Sequence, residues 1–150
     1  MYQQGRGSAV HTISTTNVAT LLLIMCLVVG LEHVDAASFT VGDSSGWSFG
    51  AQNWPQGKRF RAGDVLIFNY DPTVHNVVAV DKEGYRSCRA PASADVYKTG
   101  KDRIKVVKGL NYFICGFPGH CDSGMKIAVN AVLYLYCMPY VSVCVIPFHL

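Results

Sequence analysis

Charge is scarce in this chain: only 15% of its 150 residues are Asp, Glu, Lys or Arg. That excludes a self-repelling disordered polymer, which needs high charge and few apolar residues. No stretch matches a nucleic-acid-binding motif. There is no Cys-x-x-Cys pair, the usual mark of a structural zinc site. There is no Asn-x-Ser/Thr triplet, so N-glycosylation is not expected. Internal repeats, low-complexity segments and long helical periodicity are all missing. What is present is 50% hydrophobic residues, enough at this length for one domain with a real core.

Both ends inflate the hydrophobic fraction. Arg6 precedes an apolar run from Val18 to Leu31, and Val34-Asp35-Ala36 follows. A basic start, a short apolar segment and a small residue at the cut describe a secretory signal peptide. The run falls short of the ~20 apolar residues of a membrane-spanning helix. Residues 1–36 are therefore expected to leave, with cleavage after Ala36 or a residue away, and the product is expected in the extracellular matrix or apoplast. Removing Arg6, Glu32 and Asp35 moves the formal charge from +3 to +4. Lys58, Arg59 and Arg61 cluster, which suits ordinary solubility, acidic wall polymers or an acidic redox partner. The tail 133–150 is apolar, broken by Pro139 and Pro147, and has no assigned status.

Between these ends the pattern is that of short strands. Ser38 to Val41 alternates weakly. Val65 to Tyr70 is a strong strand with Leu66, Phe68 and Tyr70 on one face, ended by Asp71-Pro72. His75 to Val80 is the next, closed by Asp81-Lys82-Glu83-Gly84, and Tyr85 to Cys88 continues as a short strand. Arg89 to Tyr97 is ambiguous, with room for a helical turn. Arg103 to Val107 places Ile104 and Val106 inward, Lys108 to Asn111 turns the chain, and Tyr112 to Cys115 and Met125 to Val132 complete the set. Such a series predicts an all-β antiparallel sandwich or barrel.

The chemistry concentrates in Tyr112 to Met125. Cys115, His120 and Met125 are spaced by five and five, and Pro118-Gly119 bends the chain between the first two. His75 is a distant fourth candidate. Two imidazoles, a thiolate and a weak thioether form the ligand set of a blue-copper electron-transfer site. Taken singly, each residue is more ordinary: disulfide cysteines, a surface histidine, a core methionine. Zinc also accepts Cys and His but rarely Met. Six cysteines are present. Cys26 leaves with the leader and Cys137 and Cys144 lie in the tail. Of Cys88, Cys115 and Cys121, two should pair in an oxidising compartment and one stay a thiol.

From about Ala37 to Val132 the chain resembles the phytocyanins, and within them the plantacyanin, or basic blue, group. The likeness rests on Gly46-Trp47, Trp54-Pro55-Gln56-Gly57-Lys58-Arg59-Phe60-Arg61-Ala62-Gly63-Asp64, His75-Asn76-Val77-Val78, and the run from Cys115 through His120 and Met125 to Ile127. It implies a Greek-key β-sandwich of the cupredoxin type with a few short helical turns, over 37–132. It implies His75, Cys115, His120 and Met125 as ligands of one type 1 copper, and Cys88–Cys121 as the disulfide. It implies that Asn76 ties the two ligand segments together. The expected activity is one-electron carriage, as a monomer, between a redox protein or small reductant and an acceptor. The alternative is an extracellular wall or signalling module with structural copper. A copper oxidase is not expected, because the five histidines form no His-x-His pair.

Overall fold

The computed structural model describes residues 15–29, 36–133, 136–137 and 144–145. It divides into two units, residues 1–35 and 36–150. In the first, α1 (Thr15–Val29) carries no acidic or basic residue in its end turns, and Leu21 to Met25 are exposed. No described helix is long and apolar enough to cross a membrane. The predicted cut lies at the edge of residues 31–35, which fall outside the described set.

The described residues of the second unit hold ten strands. They are β1 (Ser38–Thr40), β2 (Phe60–Arg61), β3 (Val65–Asn69), β4 (Val77–Val80), β5 (Val96–Tyr97), β6 (Lys101–Lys105), β7 (Gly109–Ile114), β8 (Lys126–Val132), β9 (Tyr136–Cys137) and β10 (Cys144–Val145). One sheet has the order β1-β3-β6, the other β2-β8-β7-β4-β5. The first two strands pair in parallel with β3 and β8 respectively; the remaining pairs are antiparallel. The chain changes sheet after β1, β2, β3, β5 and β6, giving a Greek-key β-sandwich. In the tail, β9 and β10 pair antiparallel; the rest of 134–150 lies outside the described residues.

Period-two alternation explains the packing. On β3, Leu66 and Phe68 are buried, and on β8, Ile127, Val129 and Ala131 are buried. These meet Phe60, Ile104, Val106 and Phe113 in one core between the sheets. Phe68 and Phe113 rings lie 5.3 Å apart and Trp47 stands edge-on to Phe68 at 5.2 Å. Edge and offset contacts of this kind add to the area each ring removes from water. Asp102 alternates inward with Ile104, yet its carboxylate is satisfied by the hydroxyls of Tyr70 and Thr99. Burial, and then the bond to Asp102, push the Tyr70 phenol well above its ordinary range.

Several sequence expectations are corrected here. Tyr85 to Cys88 is not a strand: Lys82–Ser87 forms α2. Asp81, read as part of a closing turn, is its N-cap, the carboxylate accepting from Gly84 N at 2.7 Å. A six-residue helix is too short for a periodic signal. Residues 89–97 hold a simple turn, Ala94 N to Pro91 O at 3.0 Å, and then β5. Gly109 to Asn111 belongs to β7 rather than to a turn, and His75 and Asn76 precede β4.

The helix matters because it covers the outer face of the larger sheet. Tyr85 and Cys88 pack on Val78, Ile114 and Cys121 in a second apolar cluster. That is why β7 ends in consecutive buried residues, Phe113 and Ile114, with buried Cys115 next in the chain, instead of alternating. The Cys88–Cys121 disulfide, 33 residues apart in sequence, joins this helix to the loop after β7.

Replacing both Cys88 and Cys121 by Ala should cost about 3–4 kcal/mol, the chain-entropy value for a loop of this length, read from urea melts of variant and parent. An unchanged midpoint would show that the bridge does not hold the fold. Gly84→Ala should destabilise, although Ala normally gains about 1 kcal/mol over Gly inside a helix. A Cβ on Gly84 would sit 2.7 Å from Arg89 O and 2.9 Å from the Val80 Cβ. A raised urea midpoint would refute this close approach.

Candidate metal centre

The register of two strands builds the site. β4 and β7 run antiparallel with Val78 opposite Ile114. Continuing that register past the strand ends sets Val77 against Cys115 and Asn76 against Gly116. The Asn76 side chain takes over where the ladder stops: its Oδ1 accepts from Gly116 N at 2.6 Å. A Cβ on Gly116 would approach Val78 Cγ2 at 3.0 Å and Asn76 Oδ1 at 3.2 Å, so only glycine fits comfortably between them. The Asn76 carbonyl is held in turn by Trp47 Nε1 at 2.9 Å.

His75 is presented by the turn that ends β3. Asp71 Oδ1 accepts from Thr73 N at 2.9 Å and from its hydroxyl at 2.7 Å, and Asp71 O accepts from His75 N at 3.0 Å. This Asx-type turn is the local reason for Asp71-Pro72-Thr73.

The loop 115–125 joins β7 to β8. Pro118-Gly119 turns it, with Gly119 at φ +77°. His120 N donates to Phe117 O at 3.2 Å, Met125 N to His120 O at 3.0 Å, and Cys115 N to Met125 O at 3.0 Å. Those bonds tie Cys115, His120 and Met125 to one another through the backbone. Met125 is wholly buried and shares the main core cluster with Cys115.

The side chains converge. The ligand atoms of His75, Cys115 and His120 lie within 4.8 Å of one another. The two Nδ1 atoms are 3.2 Å apart, and Cys115 Sγ is 3.5 Å from His120 Nδ1. A first-row ion such as zinc holds imidazole nitrogen at about 2.0–2.1 Å and thiolate at about 2.3 Å, so donors about 105° apart around it lie about 3.2–3.5 Å from each other. The donor set fits one ion. Cys115 is 1% exposed and its thiol is free of any disulfide. Burial, then the neighbouring His120, push the His75 imidazole below its ordinary value against a pull from Asp71. That favours the neutral ring a metal requires.

Aromatic rings surround the imidazoles. Phe117 stacks on His120 at 5.7 Å, and Phe49, 54% exposed, stands edge-on at 5.0 Å from His120 and 6.0 Å from His75. Phe49 was not legible in the sequence, since a lone aromatic in a Gly/Ser loop carries no pattern. Trp47 was visible only as part of the Gly46-Trp47 motif. Each predicted site residue has a place: His75, Cys115 and His120 meet, Met125 is bonded to the same loop, Asn76 braces Gly116, and Cys88 is bonded to Cys121.

Residues 47–125 match the model of the plastocyanin-like domain. A basic blue protein of Arabidopsis thaliana is 54% identical over 129 residues, 86% of this chain and 98% of that protein. The solved cucumber basic protein, a blue copper protein, superposes with a TM-score of 0.63 at 60% identity, covering 64% of this chain and 100% of its own. Spinach plantacyanin gives 0.56 at 55% identity, over 63% and 99%. With a β-sandwich that superposes on these structures and a His-Cys-His cluster at the end of β7, the chain belongs to the phytocyanin family, in its plantacyanin or basic blue group.

Proposed function

We propose that this protein is a secreted single-electron carrier that holds one type 1 copper on His75, Cys115, His120 and Met125. The observation that carries the reading is the convergence of two imidazole nitrogens and one buried thiol within 4.8 Å, with Met125 hydrogen-bonded into the same loop. The donor chemistry selects the metal. Thiolate and thioether favour Cu(I), imidazole suits Cu(II) as well, and Zn sites seldom include a thioether. A copper ion bound there supplies a one-electron couple.

The protein residues do the rest. Copper would be held by the Cys115 thiolate and the His75 and His120 imidazoles, with the Met125 thioether as a weaker donor. The Asn76–Gly116 bond and the loop's internal bonds fix these donors in one arrangement, so a change of oxidation state meets little rearrangement. Phe49, Phe117 and the half-exposed imidazoles form an apolar rim through which a redox partner or small reductant would approach. The leader-like residues 1–36 support export to the apoplast, where the Cys88–Cys121 bridge would persist.

Cu(II) added to the purified full chain should produce an intense thiolate-to-copper band toward the red of the visible and the narrow copper hyperfine splitting of a blue site. Cys115→Ser should abolish both. A colourless protein that takes zinc in preference to copper would overturn the assignment. Met125→Gln should keep the blue band and lower the reduction potential, because a harder oxygen favours Cu(II). A potential that stays put or rises would remove Met125 from the copper.

A further inference from the structure

Two described carboxylates are buried, Asp64 and Asp102. The copper reading uses neither. Asp102 is served by side-chain hydroxyls. Asp64, 4% exposed, is held differently: Oδ2 accepts from Arg61 N at 2.7 Å, and Oδ1 accepts from Ala37 N at 2.9 Å. The second donor lies 27 residues away, at the place where the sequence expects the chain to be cut.

We propose that Asp64 is the receptor for the α-ammonium of Ala37, created when a secretory peptidase hydrolyses the Ala36–Ala37 bond. Water adds across that amide. Its hydroxyl goes to the Ala36 carbonyl carbon, which leaves as a carboxylate on the released leader. Its proton goes to the Ala37 nitrogen, and the amine takes up a further proton from solvent, its ordinary pKa being about 7.7–8.0. The intact chain thus offers Asp64 a neutral N–H, and the processed chain offers a cation at the same atom. A buried carboxylate is costly unless paired, and a hydrogen bond between charged partners is shorter and stronger than a neutral one.

The geometry also distinguishes this cut from its neighbours. Ala37 O accepts from Val65 N at 2.8 Å, and Ser38 opens the parallel pairing with Val65. Cleavage one residue later would remove both the nitrogen that reaches Asp64 and the oxygen that starts this ladder. Cleavage one residue earlier would leave a neutral amide at Asp64 and carry the ammonium one residue outward. Only Ala37 as first residue puts the new charge on the buried carboxylate.

This inference rests on the secretion proposed above, and the test separates the two. The full chain is expressed in secretory eukaryotic cells, and the exported protein is analysed by intact mass and N-terminal sequencing. Its α-amine is then acylated at neutral pH, folded and in urea, and mapped by peptide. Ala37 is exposed, so the reagent reaches it. The expected product begins at Ala37, and its folded amine reacts slower than in urea, roughly tenfold for each pKa unit by which Asp64 stabilises the ammonium. Asp64→Asn, which keeps the acceptor oxygen but not the charge, should abolish that difference. An exported chain with another first residue, or a folded amine as reactive as the unfolded one, overturns the receptor and leaves secretion standing. A retained chain of uncut mass overturns both. Should the Asn variant fail to fold, the folded-against-urea comparison on the parent decides alone.

Discussion

The pairing of β4 with β7 is the constraint on which the rest of this molecule depends. His75 lies just before one strand and Cys115 just after the other, forty residues apart in sequence, and antiparallel register is what makes them neighbours. Because strand side chains alternate with a period of two, a slip of one residue would turn Val77 and Phe113 out of the core and send Cys115 to the other face. The hydrophobic pattern that fixes the core therefore fixes the site. The Asn76–Gly116 bond extends this register beyond the ladder, at the point where both strands leave the sheet.

The larger sheet is covered on both faces at this end. Inward lies the sandwich core with Cys115 and Met125; outward lie α2, the Cys88–Cys121 bridge and Ile114. Lys126 adds to the outer side, its ammonium 3.3 Å from Tyr85 O and over the Tyr85 ring. A loop with a sheet at both ends, a disulfide next to His120 and five internal backbone bonds has few alternative arrangements. That stiffness is needed where weak and strong ligands must keep their relative positions.

Much of this was legible in the sequence, and the failures have physical reasons. β3 and β6 showed clear alternation because the outer face of each is less buried than the inner one. The four candidate ligands stood out through the coincidence of donor types rather than through any single residue. β5 and β2 were missed because two-residue strands have no period to detect. α2 was missed because its opening Asp81 also reads as a turn residue, and because Gly84, an unfavourable helix residue, is there to let Val80 and Arg89 close in. Phe49 was missed because its role is set only by the two imidazoles that the fold brings beneath it.

The candidate ligand loop is also a hairpin connection. Its ends, Ile114 and Lys126, are a paired couple in the β7–β8 ladder, so the sandwich specifies where the loop begins and ends but not what it contains. Three of the four donors thus occupy one exchangeable segment, while His75 stays with the scaffold. In evolutionary terms this separates two kinds of change. Substitutions in the strands are judged by packing alone, and those in one short connection by donor chemistry as well. A lineage built on such a frame can retune its metal through that connection, provided the Cys121 bridge and the buried positions of Cys115 and Met125 are kept.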